Sequence, residues 1–242
     1  MSPRAAVLFD AAGTLIELRE PVGKSYARVA RAFGVALPAQ SLDAAFRAAF
    51  AAAPPMVFPG APQAVIPTLE KAWWRRVVWE TFERADPRAA FRDFDAFFAQ
   101  LFEVMGRPRS WRAVRGAHAL LRDLRSAGWS TAIVSNFDRR LPKILEGLSL
   151  APLLDAVVLC SDVGAAKPAA AIFARALELL DVPASHAVFV GDDAAADIAG
   201  ARAAGIRAIP VDSLATLAEL PSRLPRFAGA PRATRGGSLL NG

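Results

Sequence analysis

Four segments of the chain place polar side chains after a short apolar run, either at once or at the end of a loop. The runs cover residues 5–9, 131–134, 156–160 and 187–190. The side chains that follow them are, in order, Asp10 and Thr14, Ser135 and Asn136, Lys167, and the pair Asp192 and Asp193 with Asp197 behind it. Runs of this kind are typical of strands buried in a parallel sheet, whose carboxyl ends meet at one edge. The pattern therefore predicts a carboxylate, a hydroxyl, an ammonium and an acidic pair in one place.

This combination of groups suits phosphoryl transfer. Asp10 could attack phosphorus and form an aspartyl-phosphate. Ser135 and the backbone amides near it could hold phosphate oxygens, and Lys167 could neutralise charge on the nucleophile and on the transferring group. The acidic side chains would repel one another unless a cation lay between them. Oxygen ligands with open positions favour Mg²⁺ as that cation.

The elements that must position these residues follow from the alternation of β-like runs with helical patterns. The β-like runs cover residues 5–9, 131–135, 156–160, 187–190 and 206–211. The helical patterns between them cover residues 116–127, 139–148, 169–180 and 195–204. This alternation predicts an α/β fold with a doubly wound, Rossmann-like parallel sheet, and right-handed crossovers bring every strand's carboxyl end to the same edge.

Residues 17–108 depart from the alternation and have mostly helical spacing, interrupted by proline-rich breaks. We therefore expect a core made of residues 1–16 and 109–225, an inserted α-helical cap at 17–108 above the catalytic edge, and a flexible tail at 226–242. The cap's aromatic residues recur at helical spacing, so we expect them to form its own core, with one or two facing substrate. They are Trp73, Trp74, Trp79, Phe82, Phe97 and Phe98.

Composition narrows the function class. The chain has 242 residues and is 54% hydrophobic, but no apolar run approaches the roughly 18 residues of a membrane helix. No signal-peptide pattern precedes the first strand, so we expect a cytoplasmic protein that does not bind membranes. The formal net charge is +6, yet the basic residues are scattered arginines, which argues against a nucleic-acid partner. A small-molecule substrate fits best, and the sequence carries no signal for the oligomeric state.

The four polar segments resemble the four motifs of the haloacid dehalogenase (HAD) superfamily, in its subfamily I, which inserts a helical cap after motif one. The resemblance covers about residues 5–220 and matches Asp10 with Gly13-Thr14 to motif one, Ser135-Asn136 to motif two, Lys167-Pro168 to motif three, and Gly191-Asp192-Asp193 with Asp197 to motif four. Two further stretches, Pro21-Val22-Gly23 with Tyr26-Ala27 and the run from Ser135 to Leu141, resemble the group around HAD-like hydrolase domain-containing protein 3.

The resemblance implies roles for these residues. Asp10 would be the nucleophile and a Mg²⁺ ligand. Lys167 would orient the reacting groups and neutralise the charge on the nucleophile and on the transferring group. Ser135 would bind phosphate, with Thr14 and Asn136 grouped beside it as substrate-binding residues. The other metal ligands would be the backbone carbonyl of Ala12 and the carboxylate of Asp192. Asp193 and Asp197 would be second ligands, water-bridged ligands or partners of Lys167.

Ala12 departs from the family pattern, because phosphatases of the family carry a general acid–base Asp there. Losing such a group typically costs about 10²–10⁴-fold in rate. The leading prediction is a Mg²⁺-dependent phosphatase that is slow or uses a substrate with a good leaving group. The alternatives are a 2-haloacid dehalogenase, a phosphonatase-like hydrolase that would use a cap lysine such as Lys24, and a degenerate domain that binds without turnover.

Overall fold

The computed structural model describes residues 5–225, and the predicted tail at 226–242 lies outside them. Five parallel strands form the main sheet in the order β5-β4-β1-β6-β7, and β2 and β3 form a separate antiparallel ribbon. The strands are β1 (Ala6–Phe9), β2 (Ile16–Leu18), β3 (Trp111–Ala113), β4 (Ser130–Ser135), β5 (Ala156–Leu159), β6 (Ala187–Gly191) and β7 (Arg207–Pro210). This sheet confirms the predicted α/β class.

Helices cover the sheet and form a second layer beyond one end of it. They are α1 (Val22–Ala32), α2 (Ala39–Ala52), α3 (Ile66–Ala85), α4 (Phe94–Gly106), α5 (Ala117–Ser126), α6 (Leu141–Gly147), α7 (Cys160–Val163), α8 (Ala170–Leu180), α9 (Gly200–Ala203) and α10 (Leu220–Arg223). One π-helical segment, Ala194–Ala199, precedes α9. Within residues 5–225, no helix is long and apolar enough to cross a membrane.

The sheet is buried on both faces because alternate residues of each strand enter different apolar clusters. In β1, Val7 and Phe9 pack into the cluster that contains α5 and α6, whereas Ala6 and Leu8 pack into the cluster that contains α8. All four residues are fully buried. This two-sided burial explains why the strand sequence is apolar throughout instead of alternating with polar residues.

The strand register brings the polar segments to the same level. Phe9 in β1 pairs with Ile133 in β4 on one side and with Val190 in β6 on the other. Asp10 is the next residue after Phe9, and Ser135 and Asp192 each come two residues after the paired position on their own strand. Because β1 is the central strand, the loops after β4 and β6 flank the end of β1 on both sides.

Helices α1 to α4 lie in the chain between β2 and β3 and share their own apolar cluster. Phe82 and Phe97 are buried in it, as expected for residues at helical spacing. Trp79 departs from that expectation because 46% of it is exposed. The ribbon of β2 and β3 was not predicted, since a strand of three residues is too short to establish a periodic pattern.

Candidate active site

Asp10 lies at the carboxyl end of β1, buried between its neighbours from β4 and the loop before α8. Its Oδ1 atom is 2.5 Å from Lys167 Nζ and accepts a hydrogen bond from Ser135 Oγ at 3.3 Å. Burial raises the pKa of Asp10, the positive charge of Lys167 lowers it, and the net direction is upward. Asp10 therefore depends on nearby cations to remain a carboxylate that could act as a nucleophile.

Lys167 joins two carboxylates in the floor of the site. Its Nζ atom lies 2.5 Å from Asp10 Oδ1 and 2.7 Å from Asp197 Oδ1. Burial works against the charge of Lys167, but the two carboxylates outweigh it, and its pKa is raised. Lys167 is therefore a permanent cation held by two anions and unsuited to act as a base.

Asp197 is held in place by backbone groups as well as by Lys167. Its Oδ2 accepts hydrogen bonds from the amides of Asp192 and Asp193, each at 3.1 Å. A side chain at Gly191 would start 2.3 Å from that same oxygen, so only glycine leaves room for it. Both carboxylate oxygens of Asp197 are thus committed to Lys167 and to the turn after β6.

Asp192 is the exposed member of the group of charged side chains around Asp10. Partial burial of its carboxyl group, together with the charges of Asp10 and Asp197, raises its pKa to about 6. The carboxylate packs directly on Gly13, where a Cβ would come within 2.2 Å of Oδ2. Gly13 also has φ of +95°, a conformation that favours glycine. We call Asp10, Lys167, Asp192 and Asp197 the polar floor.

The polar floor has the donor set and the charge expected of a divalent cation site. One oxygen from each of Asp10, Asp192 and Asp197 lies within 4.8 Å of the others. Three carboxylates face one ammonium, which leaves an excess of two negative charges when all are ionised. Since Asp197 is already committed, Asp10 and Asp192 have the oxygens left for an ion, and oxygen ligands of this kind suit Mg²⁺.

Three predicted site residues, Thr14, Asn136 and Asp193, lie outside the polar floor. The Asp193 carboxylate accepts hydrogen bonds from Ala195 N and Ala196 N, so it caps the π-helical segment and stands outside the acidic cluster. The Asn136 side chain exchanges two hydrogen bonds with the backbone of Lys167, so it fixes that residue's loop. Thr14 is fully buried, does not line the cavity, and its hydroxyl has no hydrogen-bond partner among residues 5–225.

A cavity of about 390 Å³ opens above the polar floor. The floor, Ser135 and Asn136 form its base, and Ala12, whose side chain is a methyl group, also lines it. Its sides are mostly aromatic rings supplied by α2, α3, α4 and β3. We call six of these side chains the aromatic wall: Phe46, Phe50, Trp74, Phe98, Phe102 and Trp111.

Side chains that follow β4 connect the base of the cavity to α3 and α4. Asp138 accepts a hydrogen bond from Trp74 Nε1 at 2.6 Å and forms a two-point ion pair with Arg140. The Arg140 guanidinium also donates to the Phe102 carbonyl at 3.0 Å. The sequence pattern did not predict this connection, although Asp138 and Arg140 lie within the run from Ser135 to Leu141 that resembles a group of the family.

A second connection between the layers is polar and buried. Glu70 of α3 is 3% exposed, accepts a hydrogen bond from Ser161 Oγ, and accepts another from Arg139 N at 3.2 Å. Burial raises the pKa of Glu70. Nothing in the spacing of α3 distinguishes Glu70 from a surface residue, so only the three-dimensional structure could identify this contact.

Comparison with known proteins agrees with this geometry. The family model for haloacid dehalogenase-like hydrolases matches residues 5–205. Haloacid dehalogenase-like hydrolase domain-containing protein 3 from Bos taurus is 37% identical over 203 residues, which cover 84% of this chain and 80% of that protein. Ribulose-1,5-bisphosphate 5-phosphatase from Halopiger xanaduensis is 36% identical over 119 residues, 49% of this chain and 47% of that protein.

The fold is also similar to that of a protein named as a dehalogenase. The L-2-haloacid dehalogenase from Xanthobacter autotrophicus has a TM-score of 0.66 at 22% identity, covering 91% of this chain and 81% of its own. That likeness bears on the fold alone. The sequence matches establish membership, and the chain belongs to the haloacid dehalogenase-like hydrolase family.

Proposed function

We propose that this hydrolase is a Mg²⁺-dependent phosphatase that acts on a small phosphorylated metabolite through an aspartyl-phosphate on Asp10. The polar floor carries the proposal, because a buried carboxylate lies 2.5 Å from a lysine and beside two further acids. A phosphate dianion needs cationic partners, which Lys167 and a bound metal ion would supply. The half-length match to a protein named as a phosphatase agrees with this choice.

Ser135 and the residues of the floor would have different roles in the reaction. An oxygen of Asp10 attacks phosphorus and forms the acyl phosphate, which water later hydrolyses. Ser135 Oγ, now bonded to Asp10, is placed to turn toward a phosphate oxygen. Lys167 holds Asp10 in position and balances charge on the transferring group, and Asp197 holds Lys167. The fixed contacts of Asp10, Lys167 and Asp197 lower the barrier because these charged groups keep their positions during the reaction.

Asp10, Asp192 and the backbone carbonyl of Ala12 would hold the Mg²⁺ ion. When bound, the ion would offset the excess negative charge of the floor and of the phosphate. Asp197 would remain with Lys167, since both of its oxygens are already engaged.

We infer that helices α1 to α4 act as a cap over the floor. The cavity supports this role because its base comes from the sheet edge, whereas its sides come largely from these helices. Trp74 and Glu70 of α3 reach Asp138 and Arg139 in the segment after β4, so the two layers meet through specific polar contacts. Such a layer could exclude water from the acyl phosphate.

The structure bears differently on the other hydrolase reactions. A phosphonatase would need a cap lysine facing the cavity, but Lys24 is exposed and Lys71 lines a separate groove, and neither lines the cavity above Asp10. A dehalogenase would not require the acidic cluster around Asp192. A binding domain without turnover remains the contrasting hypothesis, because Ala12 supplies no proton.

Turnover of acetyl phosphate tests the proposal. This substrate has a good leaving group and no bulky organic part, so neither the missing acid at position 12 nor the cavity wall limits it. We expect Mg²⁺-dependent release of phosphate that is abolished by chelation and by Asp10→Asn. A protein that binds Mg²⁺ but releases no phosphate would favour the binding domain. Halide release from a 2-haloacid in the presence of chelator would favour the dehalogenase.

A further inference from the structure

The cavity above the polar floor has few groups that could recognise a polar substrate. Its sides are the aromatic wall together with aliphatic side chains such as Leu18, Val78 and Leu101. Sugar or polyol phosphates carry several hydroxyl groups, each of which needs a hydrogen-bond partner when it leaves water. The residue types of the wall therefore select against such substrates.

The polar atoms that do occur in the sides of the cavity are mostly engaged elsewhere. The indole N–H of Trp74 donates to Asp138, and that of Trp111 donates to the Met105 carbonyl at 2.8 Å. The Arg140 guanidinium is paired with Asp138, which removes its net charge from the cavity.

Tyr26 is the exception among the described residues that line the sides. It is 2% exposed, lines the cavity, and its hydroxyl has no hydrogen-bond partner within residues 5–225. Burial raises the pKa of Tyr26, so this hydroxyl stays protonated. The sides of the cavity can thus form a hydrogen bond with a single polar substituent and little more.

A separate observation at the floor limits the leaving group. Ala12 lines the cavity with a methyl group where a proton donor would stand in a phosphatase of the family. Without such a donor, the departing oxygen must leave as an anion, which is fast only for an acidic alcohol. Phenols are acidic enough to leave as anions from the floor, and their flat, apolar rings can pack against the wall.

We propose that the substrate is a phosphate monoester of an uncharged aromatic alcohol of the phenol class, whose ring lies against the aromatic wall. The proposal rests on the phosphatase activity proposed above and deepens it. In the first step, the bond between Asp10 oxygen and phosphorus forms, and the ester P–O bond breaks. The phenolate departs with the electron pair and takes a proton from solvent, and water then cleaves the acyl phosphate to release phosphate and Asp10.

Four substrates separate the two requirements. 1-Naphthyl phosphate has both the ring and the acidic alcohol, 2-phenylethyl phosphate has only the ring, acetyl phosphate has only the good leaving group, and glycerol 1-phosphate has neither. We expect KM for the two ring compounds to be about 30-fold below that of the other two, from the apolar area buried. We expect kcat for 1-naphthyl and acetyl phosphate to be about 100-fold above that of the other two.

Substitution at the mouth of the cavity checks that the wall causes the KM effect. Phe50 lines the cavity and is 46% exposed, so Phe50→Ser should fold normally. It should raise KM for 1-naphthyl phosphate about 10-fold. Trp79→Ser is the matched control, because Trp79 is also 46% exposed in the same helical layer but does not line the cavity.

The inference and the underlying function fail in different ways. The inference would be overturned if KM for glycerol 1-phosphate were equal to or lower than KM for 1-naphthyl phosphate. It would also be overturned if kcat were equal for 2-phenylethyl and 1-naphthyl phosphate. In both cases, turnover of acetyl phosphate would still support the proposed phosphatase activity. If acetyl phosphate is not hydrolysed, the function fails, and calorimetry with Mg²⁺ present then decides the inference alone. 1-Naphthylphosphonate should bind about 30-fold more tightly than methylphosphonate, and equal or undetectable binding of the two would contradict it.

Discussion

The polar floor and the aromatic wall face each other across one cavity but are built in different ways. The floor consists of charged groups from segments that follow strands of the parallel sheet, and each has at least one fixed partner: Asp10 with Lys167, Asp197 with Lys167, and Asp192 against Gly13. The wall consists of rings from three helices and from β3, which meet only when these elements pack together. We therefore propose that the floor determines which reaction is possible and that the wall determines which molecule undergoes it.

The largest effect should come from removing the cation of the floor. Lys167→Met leaves Asp10 and Asp197 buried without their shared partner, so we expect kcat to fall about 10²–10³-fold. We also expect the free energy of unfolding at pH 7 to fall by about 3–5 kcal/mol, the usual cost of a broken buried ion pair. Acetyl phosphate kinetics and urea unfolding measure the two effects.

The control for that substitution is Lys143→Met, at an exposed position of α6. It should change neither quantity. If Lys167→Met keeps full activity, the floor is not the reactive region and the distinction between floor and wall fails.

A smaller loss is expected from crowding the floor without changing its charges. Gly13→Ala would place a Cβ 2.2 Å from Asp192 Oδ2, which forces that carboxylate to move. Displacement of this size typically costs about 10²-fold in rate. Gly60→Ala is the matched control, because Gly60 also has a positive φ, +76°, but has nothing within 4 Å of the added Cβ. Equal kinetic effects in the two variants would mean that backbone strain, and not contact with Asp192, is responsible.

On the wall, a conservative change should alter substrate binding more than chemistry. Trp74→Phe keeps an aromatic ring but removes the hydrogen bond from Nε1 to Asp138. Without that bond the ring at position 74 is held less firmly in the wall, so we expect KM for 1-naphthyl phosphate to rise by up to about 5-fold, the equivalent of one such bond, with kcat nearly constant. Trp73→Phe, which removes a hydrogen bond to the Pro54 carbonyl outside the cavity, should leave KM unchanged. A fall in kcat in Trp74→Phe alone would show that wall and floor are not separable.

The smallest effect concerns pH and the metal ion. The pKa of Asp192 is raised from 3.8 to about 6, so the native state without metal binds this proton more tightly than the unfolded chain does. Stability without metal should therefore fall as pH rises from about 4 to about 6. Mg²⁺ competes with the same proton, so the increase in Tm caused by Mg²⁺ should be larger at pH 7.5 than at pH 5.

Thermal unfolding with and without Mg²⁺, at constant ionic strength, measures this dependence. In Asp192→Asn the increase in Tm should be absent at both pH values. An increase of equal size at pH 5 and pH 7.5 in the unsubstituted protein would place the ion elsewhere.

The sequence predicted the floor better than the wall for a physical reason. Strand ends have a fixed register in a parallel sheet, so Asp10, Ser135 and Asp192 could be brought together by counting residues along apolar runs. Their catalytic and metal-binding roles stay predictions. The partner of Asp193 could not be predicted, because the choice between a metal site and a helix cap depends on the backbone path after β6.

The wall depends on how helices cross, which helical spacing does not specify. The spacing of α3 and α4 correctly indicated helices, and it placed Trp74, Trp79 and Phe98 together as core candidates. In the structure Trp74 and Phe98 face the cavity, whereas Trp79 is exposed. Only the packing of α3 against α2 and α4 separates these cases.

The central claim is that Asp10 becomes phosphorylated during turnover. The most direct test is the intact mass of the protein after rapid acid quench of the reaction with acetyl phosphate and Mg²⁺. We predict an added mass of one phosphoryl group that maps to Asp10, and no added mass in Asp10→Asn or after chelation. Turnover of acetyl phosphate with no phosphorylated protein at any quench time, or a phosphoryl group on a residue other than Asp10, would contradict the account.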